Sequence, residues 1–392
     1  MSLSENMYSP SVVYIPLTDS KAKLASVKAE VGSNVKVGTL LAEKYFGKER
    51  TPVYSSVSGK VLGIENRVDI DGNEVRHIAI KNDSKYDIDE NVTPLKEGET
   101  IKEKLINLGI KDLDNSGIYT GFHFEDVKAI YVDAIYPNEA FARTNYEVLK
   151  DRAEKVISAL SKYASEVNVP AYFVICKRVP SEVCKVIETE VAKTNNVTIV
   201  RRKQVPGWQY KLVRKQSNIE LEVGKFKGVV VVSVSAMANV ADAITYGLPA
   251  IKKGVTVYSN VVPSKFVEVP VGTPISQLFE TEERVVVSVG GLLTGKTVVS
   301  SNTVVSSSTY SINVVKPVCL DSDDCNRCGL CNDVCPVGIL PSEIIFADNL
   351  KDEEKLNTLH VDRCIECGRC SYVCPTRVNV LERVRRAKRR LQ

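Results

Sequence analysis

A chain of 392 residues with 44% hydrophobic and 26% charged residues and a net charge of +4 has the composition of an ordinary folded protein of roughly two to four domains, which excludes disordered and fibrous classes. No run approaches the ~18 consecutive apolar residues that a spanning helix needs, and Met1 to Pro10 lacks the charged-then-apolar order of a secretion signal. The chain is therefore expected in the cytoplasm, with contact to a membrane surface left open; eleven cysteines would suggest disulfides in a short secreted chain, but eight of them fall between Cys325 and Cys374, and clustering of that kind points to metal.

In chain order, the first ~85 residues alternate β-rich runs with turns: Val12 to Leu17, Lys23 to Val31, a turn at Gly32-Ser33-Asn34, Val37 to Ala42, Pro52 to Leu62 and His77 to Ile80. This predicts a small all-β unit. From Thr100 the pattern predicts helices over Ile101 to Leu108 and Tyr146 to Glu166, between strands at Val127 to Val132, Ala171 to Ile175 and Val197 to Val200. Alternation of that kind predicts an α/β layer. Val229 to Val234 reads as a buried strand, and Ala236 to Tyr246 as a helix stopped by Gly247 and Pro249. Short β-type runs return over Val255 to Ser306, and Val298 to Ser311 reads as strands or a linker. Val380 to Leu391 predicts a helix with Val380, Val384, Ala387 and Leu391 on one side, and its other faces carry Arg383, Arg385, Arg386, Lys388, Arg389 and Arg390.

Two cysteine runs carry the chemistry: Cys325, Cys328, Cys331 and Cys335, then Cys364, Cys367, Cys370 and Cys374, the last of each followed by Pro336 or Pro375. This C-x2-C-x2-C-x3-C-P spacing is that of two-cluster bacterial ferredoxins, in which the fourth thiolate of each run ligates the other cluster. One 4Fe-4S cluster is therefore expected on Cys325, Cys328, Cys331 and Cys374, and a second on Cys364, Cys367, Cys370 and Cys335. Gly329 and Gly368 are expected to let backbone approach the sulfides, and Pro336 and Pro375 to turn the chain away. Structural zinc also uses paired C-x2-C motifs, but gives no reason for two four-cysteine runs that each end in Cys-Pro.

Cys176, Cys184 and Cys319 read as packing thiols, and the scattered His77, His123 and His360 receive no role. Trp208 reads as a packing aromatic in a loop. The basic faces of the last helix suit either anionic lipid or an acidic partner, or are simply solvated. No nucleic-acid partner is expected, because those charges lack interleaved aromatics and a reading motif.

The second cysteine run, continued through Thr376 and Arg377, and the Pro336 to Pro341 segment resemble the C subunit of the Rnf ion-translocating electron-transport complex. Val31 to Gly38 with Pro52 to Val61 resembles that family's barrel-sandwich hybrid domain; Val271 to Pro274 with Gly290 to Gly295 resembles its small β-grasp domain. A swinging arm for biotin or lipoate is the other reading of a barrel-sandwich unit. Such an arm typically carries a lysine beside methionine, whereas the only methionines are Met1, Met7 and Met237.

The resemblance implies a multidomain α+β fold. It comprises a barrel-sandwich hybrid over 1–99, a Rossmann-like α/β domain over 100–222, a β-grasp domain over 223–312 and a bacterial ferredoxin-like two-cluster helical domain over 313–392. Where the family carries a glycine-rich loop for FMN and NADH phosphates, this chain has Ser116 and Gly117, then Thr120, Gly121, Phe122 and Glu125, and the acidic stretch that follows is replaced by Ala134 to Glu139. FMN and NAD are therefore expected to be absent.

The implied function is an electron-relay subunit, peripheral on the cytoplasmic side of the cell membrane and without bond-making residues of its own. Its implied partners are integral-membrane and ferredoxin-like Rnf subunits. Ferredoxin is the indirect donor, Na+ or H+ the translocated ion, and a membrane carrier such as methanophenazine the acceptor. The alternatives are a ferredoxin:NAD oxidoreductase subunit with an FMN and NADH site, and a soluble electron-transfer accessory of a reductase.

Overall fold

The computed structural model describes residues 7–18, 24–47, 49–110, 120–134, 144–176, 179–202, 207–219, 228–317, 322 and 324–391. Strands β1 (Val12–Pro16), β2 (Leu24–Val27), β3 (Asn34–Val35), β4 (Leu40–Phe46), β5 (Glu49–Tyr54), β6 (Gly59–Val68) and β7 (Glu74–Asn82) build the N-terminal barrel-sandwich hybrid. They form two antiparallel sheets, β1-β7-β6-β3 and β2-β4-β5. Alternation along β1 turns Val13 and Ile15 inward, and the register sets them opposite Ile80 and Ile78 in one buried core.

The expected single run from Pro52 to Leu62 is broken by a corner between β5 and β6. Ser55 and Ser56 hydroxyls there donate to the carbonyls of Val57 and Val271, each at 2.7 Å, and Ser58 donates to Asp83 Oδ1 at 2.6 Å. Gly59 restarts the strand at φ +150°, where any Cβ would lie 1.9 Å from the Lys81 carbonyl oxygen.

The central layer is a parallel sheet of β8 (Ala129–Asp133), β9 (Ala171–Cys176), β10 (Val197–Arg202) and β11 (Val229–Ser233), in the order β10-β9-β8-β11. Helices α1 (Ile101–Leu108), α2 (Thr144–Val167), α3 (Ser181–Val191) and α5 (Val234–Tyr246) cover one face, and α4 (Trp208–Ser217) covers the other with Leu212 and Val213. Along α2 the buried positions recur every three or four residues, through Val148, Leu149, Ala153, Val156, Ile157 and Leu160.

β11 and α5 lie beyond the boundary expected at 222/223, yet β11 pairs in parallel with β8. The reason is burial on both faces: Val230 and Val232 enter one core, Val229 and Val231 the other. Trp208 opens helix α4 instead of lying in a loop; its side chain is outside the described residues.

A third unit is a mixed sheet, β13-β12-β16-β14-β15, from β12 (Lys252–Ser259), β13 (Lys265–Pro270), β14 (Val286–Val289), β15 (Lys296–Thr297) and β16 (Ser311–Val315). It is tied to the barrel by Tyr14 N–H to Gly272 O at 2.9 Å and Arg67 Nε to Asn302 O at 2.8 Å. Arg152 of α2 joins it to the α/β layer by pairing with Asp242 of α5 and, at 3.8 Å, with Glu268 of β13.

The C-terminal unit is helical: α6 (Leu330–Asp333), α7 (Pro341–Asn349), α8 (Glu353–Thr358), α9 (Arg369–Tyr372) and α10 (Val380–Arg390). α10 buries Val380, Val384 and Ala387, as its periodicity predicts, against Ile344, Ile345 and Leu356. Its basic residues are largely turned to internal partners. Arg386 Nε and Arg390 Nε donate to the two oxygens of Asp348 at 2.6 and 3.0 Å, and the Asp348 side chain is fully buried. Arg383 reaches Ser322 O at 3.1 Å, and Arg389 pairs with Glu382 at 2.7 Å. No helix among the described residues is long and apolar enough to cross a membrane.

Replacing Asp348 by Asn removes the charge and one of the two acceptor oxygens that join α7 to α10. Because the two arginines keep partial access to solvent, the expected loss is about 2 to 3 kcal/mol, read as a lower denaturant midpoint for the C-terminal unit of the cluster-loaded protein.

Candidate metal centre

The two cysteine runs are the same structure used twice at an offset of 39 residues, from Cys325 to Cys364. Backbone conformation repeats with the sequence: Arg327 and Glu366 have φ 56° and 52°, Gly329 and Gly368 79° and 73°, Gly338 and Arg377 71° and 59°. Two of those six are arginine and one is glutamate, so the left-handed turns are imposed by the loop itself. Each run then enters a single helical turn, α6 or α9, that carries its third cysteine.

The residue after the third cysteine ties that turn to the next long helix. Asn332 Oδ1 accepts from Ser342 N at 3.1 Å, near the start of α7, while Ser371 Oγ accepts from Leu381 N at 2.8 Å, near the start of α10. These bonds satisfy helix N–H groups that have no partner within the helix.

Cys364, Cys367 and Cys370 line one cavity together with Cys335 of the first run. It holds about 350 Å³ of space, part of it open to solvent, and its wall is completed by Ile339, Leu381 and Val384. Burial pushes the Cys364 thiol up to about 11 and the Cys370 thiol up to about 12, the latter with help from Cys364 and Cys367. Cys367 is raised by burial, with the facing Cys335 adding to the rise.

Thiols so placed resist ionisation unless a cation replaces the proton, which is the condition that iron ligation meets. The Glu366 N–H already points at Cys364 Sγ from 3.4 Å. Among the described residues no three His, Cys, Asp or Glu side chains converge on a point suited to one ion. Four thiols around an open volume fit a multi-atom cluster instead.

The other four cysteines lie in a more open setting. Cys325 and Cys328 are exposed, and Cys331 and Cys374 are partly buried. Burial raises Cys331, with Cys325 contributing. At Cys374 burial acts upward, but hydrogen bonds from the Thr376 hydroxyl, at 3.5 Å, and from the following backbone outweigh it and lower the thiol.

The remaining candidates separate by environment. Cys176 is buried, as expected of a packing thiol, but Cys184 is only partly buried and sits 2.8 Å from Arg201 Nη2; Cys319 is outside the described residues. His77 is buried, its Nδ1 2.8 Å from Val75 O, and His123 Nε2 lies 2.6 Å from Thr120 O. His360 occupies a left-handed turn at φ 52°.

Of the loop expected at the nucleotide position, 116–119 and 135–139 lie outside the described residues. In the described part, Thr120 bonds Val231 of β11 through N–H and hydroxyl, and Phe122 and Phe124 pack edge-on against Tyr163 at 5.6 and 5.2 Å. Sequence reasoning missed Asn332 and Ser371. Their signal is the 39-residue offset itself, which aligns two capping-type side chains.

The fold and its cysteines define an iron–sulfur electron-transport protein in which a dicluster domain is joined to a barrel-sandwich hybrid. A family model for the RnfC barrel sandwich hybrid domain matches residues 3–85, and one for a 4Fe-4S dicluster domain matches residues 317–375. These two matches, together with the relatives below, support an RnfC-family oxidoreductase subunit.

Its relatives include the C subunit of the Na(+)-translocating ferredoxin:NAD(+) oxidoreductase complex of Acetobacterium woodii, 25% identical over 86% of this chain and 81% of that one. The C subunits of the ion-translocating oxidoreductase complexes of Buchnera aphidicola and Vibrio cholerae are 24% and 22% identical over 79% and 89% of this chain. The chain spans 66% of the Buchnera protein and about half, 48%, of the Vibrio one.

Changing Ser371 to Ala deletes the bond to α10 without touching a thiol. The expectation is a loss of about 1 kcal/mol in unfolding free energy with unchanged iron content, measured by denaturant titration alongside iron analysis.

Proposed function

We propose that this chain is the electron-relay subunit of a membrane-bound Rnf-type complex that couples electron flow from reduced ferredoxin to translocation of Na+ or H+. One 4Fe-4S cluster would be held by Cys325, Cys328, Cys331 and Cys374, and the other by Cys364, Cys367, Cys370 and Cys335. When bound, such clusters supply one-electron redox chemistry at potentials set by hydrogen bonds and solvent exposure. The chain's own residues ligate, shield and position. The observation that carries the reading is the single cavity in which Cys335, from one run, meets Cys364, Cys367 and Cys370 from the other.

In this reading the parallel sheet is a Rossmann-like layer whose nucleotide site is degenerate, and the mixed sheet is a β-grasp domain. Neither FMN nor NAD serves it, and a membrane carrier such as methanophenazine is the acceptor. Support comes from the loop over Thr120 to Glu125. Its aromatic side chains are committed to the core against Tyr163, and Glu125 is exposed and paired with Lys102 at 2.9 Å. An exposed acid beside bulky side chains is a poor cradle for phosphate, which favours stacked N–H groups and close backbone approach. The protein would sit peripherally on the cytoplasmic side, against integral-membrane and ferredoxin-like partners.

The test is anaerobic purification with clusters intact, assay of iron, sulfide and flavin, and observation of the visible cluster band on adding NADH or enzymatically reduced ferredoxin. About eight irons per chain, no flavin and bleaching by ferredoxin alone are expected. Bound FMN with bleaching by NADH would contradict the NAD-independent reading and establish a ferredoxin:NAD oxidoreductase subunit.

A further inference from the structure

The two cysteine runs match in sequence and backbone, but their surroundings do not. Residues 324–328 of the first are exposed, whereas 364–370 of the second are partly or fully buried. The difference has a source outside the ferredoxin-like unit: the loop between β14 and β15, Gly290 to Gly295. An ideal Cβ on Gly368 would lie 2.5 Å from Leu293 O and 2.8 Å from Leu293 Cβ, while the equivalent Cβ on Gly329 meets nothing within 4 Å.

Equivalent positions of the following helices differ in the same sense. Arg327 lies over the ring of the half-exposed Phe346 at 5.0 Å. At the matching pair, Glu366 accepts from Arg385 Nε at 2.8 Å, and Arg385 Nη2 continues to Thr294 O at 3.0 Å. Lys388 Nζ closes the same corner on Cys364 O at 3.0 Å. The loop is held from beneath, with Gly295 N–H donating to Gly291 O at 2.7 Å and Asn313 Nδ2 to Gly290 O at 2.8 Å.

We infer that the Gly290–Gly295 loop is a cap on the second cysteine run, so that the cluster on Cys364, Cys367, Cys370 and Cys335 is shielded on the side of Gly368 and the more exposed cluster on the first run is the one that meets external redox partners. This rests on the two-cluster reading above. Shielding on that side hinders bulky reactants at one cluster, and electron exchange with another protein requires close approach, which the exposed Cys325 and Cys328 of the first run offer more readily. Arg385 and Leu293 act as positioning residues, holding the cap through Thr294 O and against Gly368.

The test follows iron release from the cluster-loaded protein to a bulky anionic ferrous chelator, bathophenanthroline disulfonate. Two phases of equal size are expected, separated by tenfold or more, about 1.4 kcal/mol of opening free energy. Gly368→Ala merges the slow phase into the fast one. Gly329→Ala carries the same backbone strain but meets no protein atom of a cap, and leaves the slow phase of the second cluster in place. Arg385→Gln, which releases Thr294 without adding bulk, accelerates the slow phase and serves if Gly368→Ala does not fold. A single phase in the unaltered protein, or equal responses to both glycine changes, would overturn the cap. Release of only one cluster's worth of iron in total would by contrast overturn the two-cluster reading itself.

Discussion

Thiols cannot be buried as anions without compensating positive charge, and in the C-terminal unit burial, with neighbouring thiols adding to it, drives Cys364 and Cys370 up to about 11 and about 12. Everything nearby answers that constraint. The left-handed turns at Glu366 and Gly368 bring backbone N–H groups toward sulfur, and Lys388 is held beside Cys364 through its carbonyl. An apolar wall of Ile339, Leu381 and Val384 closes the cavity. Burial that holds Cys364, Cys367 and Cys370 protonated when no cation is present suits a site where a metal takes the place of those protons.

The helices that frame the cavity depend on charge as much as on apolar packing. α10 would be a strongly basic surface helix, yet Asp348 takes two of its arginines and Glu366 takes Arg385 and Lys388, the latter at 3.5 Å. The same helix reaches the mixed sheet through Thr294. The upstream domains thus form a platform: barrel, parallel sheet and mixed sheet are joined by backbone hydrogen bonds and by the Arg152, Asp242, Lys252 and Glu268 charges.

Much of this was legible in the chain. The C-x2-C-x2-C-x3-C-P runs point to thiol ligation of the proposed clusters because the spacing leaves little choice of loop, and the periodicities of β1, α2 and α10 specify which faces are buried. The membership of β11 was not legible, because Val229 to Ser233 resembles any buried strand, and only pairing with β8 shows which sheet it completes. The narrow apolar stripe of α3, Val183, Ile187 and Val191, and the start of α4 at Trp208 gave too little periodic signal. The partners of α10 were hidden for a different reason: a run of arginines looks the same whether it faces water or a buried aspartate 38 residues earlier.

The central claim is that the two cysteine runs exchange their fourth thiolates. Electron paramagnetic resonance of the reduced protein carrying Cys335→Ser tests it most directly. The expected result is that this change in the first run alters the signal of the cluster on Cys364, Cys367 and Cys370, while the signal lost in Cys328→Ser stays normal. Perturbation of the Cys325, Cys328 and Cys331 cluster instead would mean that each run ligates its own cluster, and would contradict the exchange.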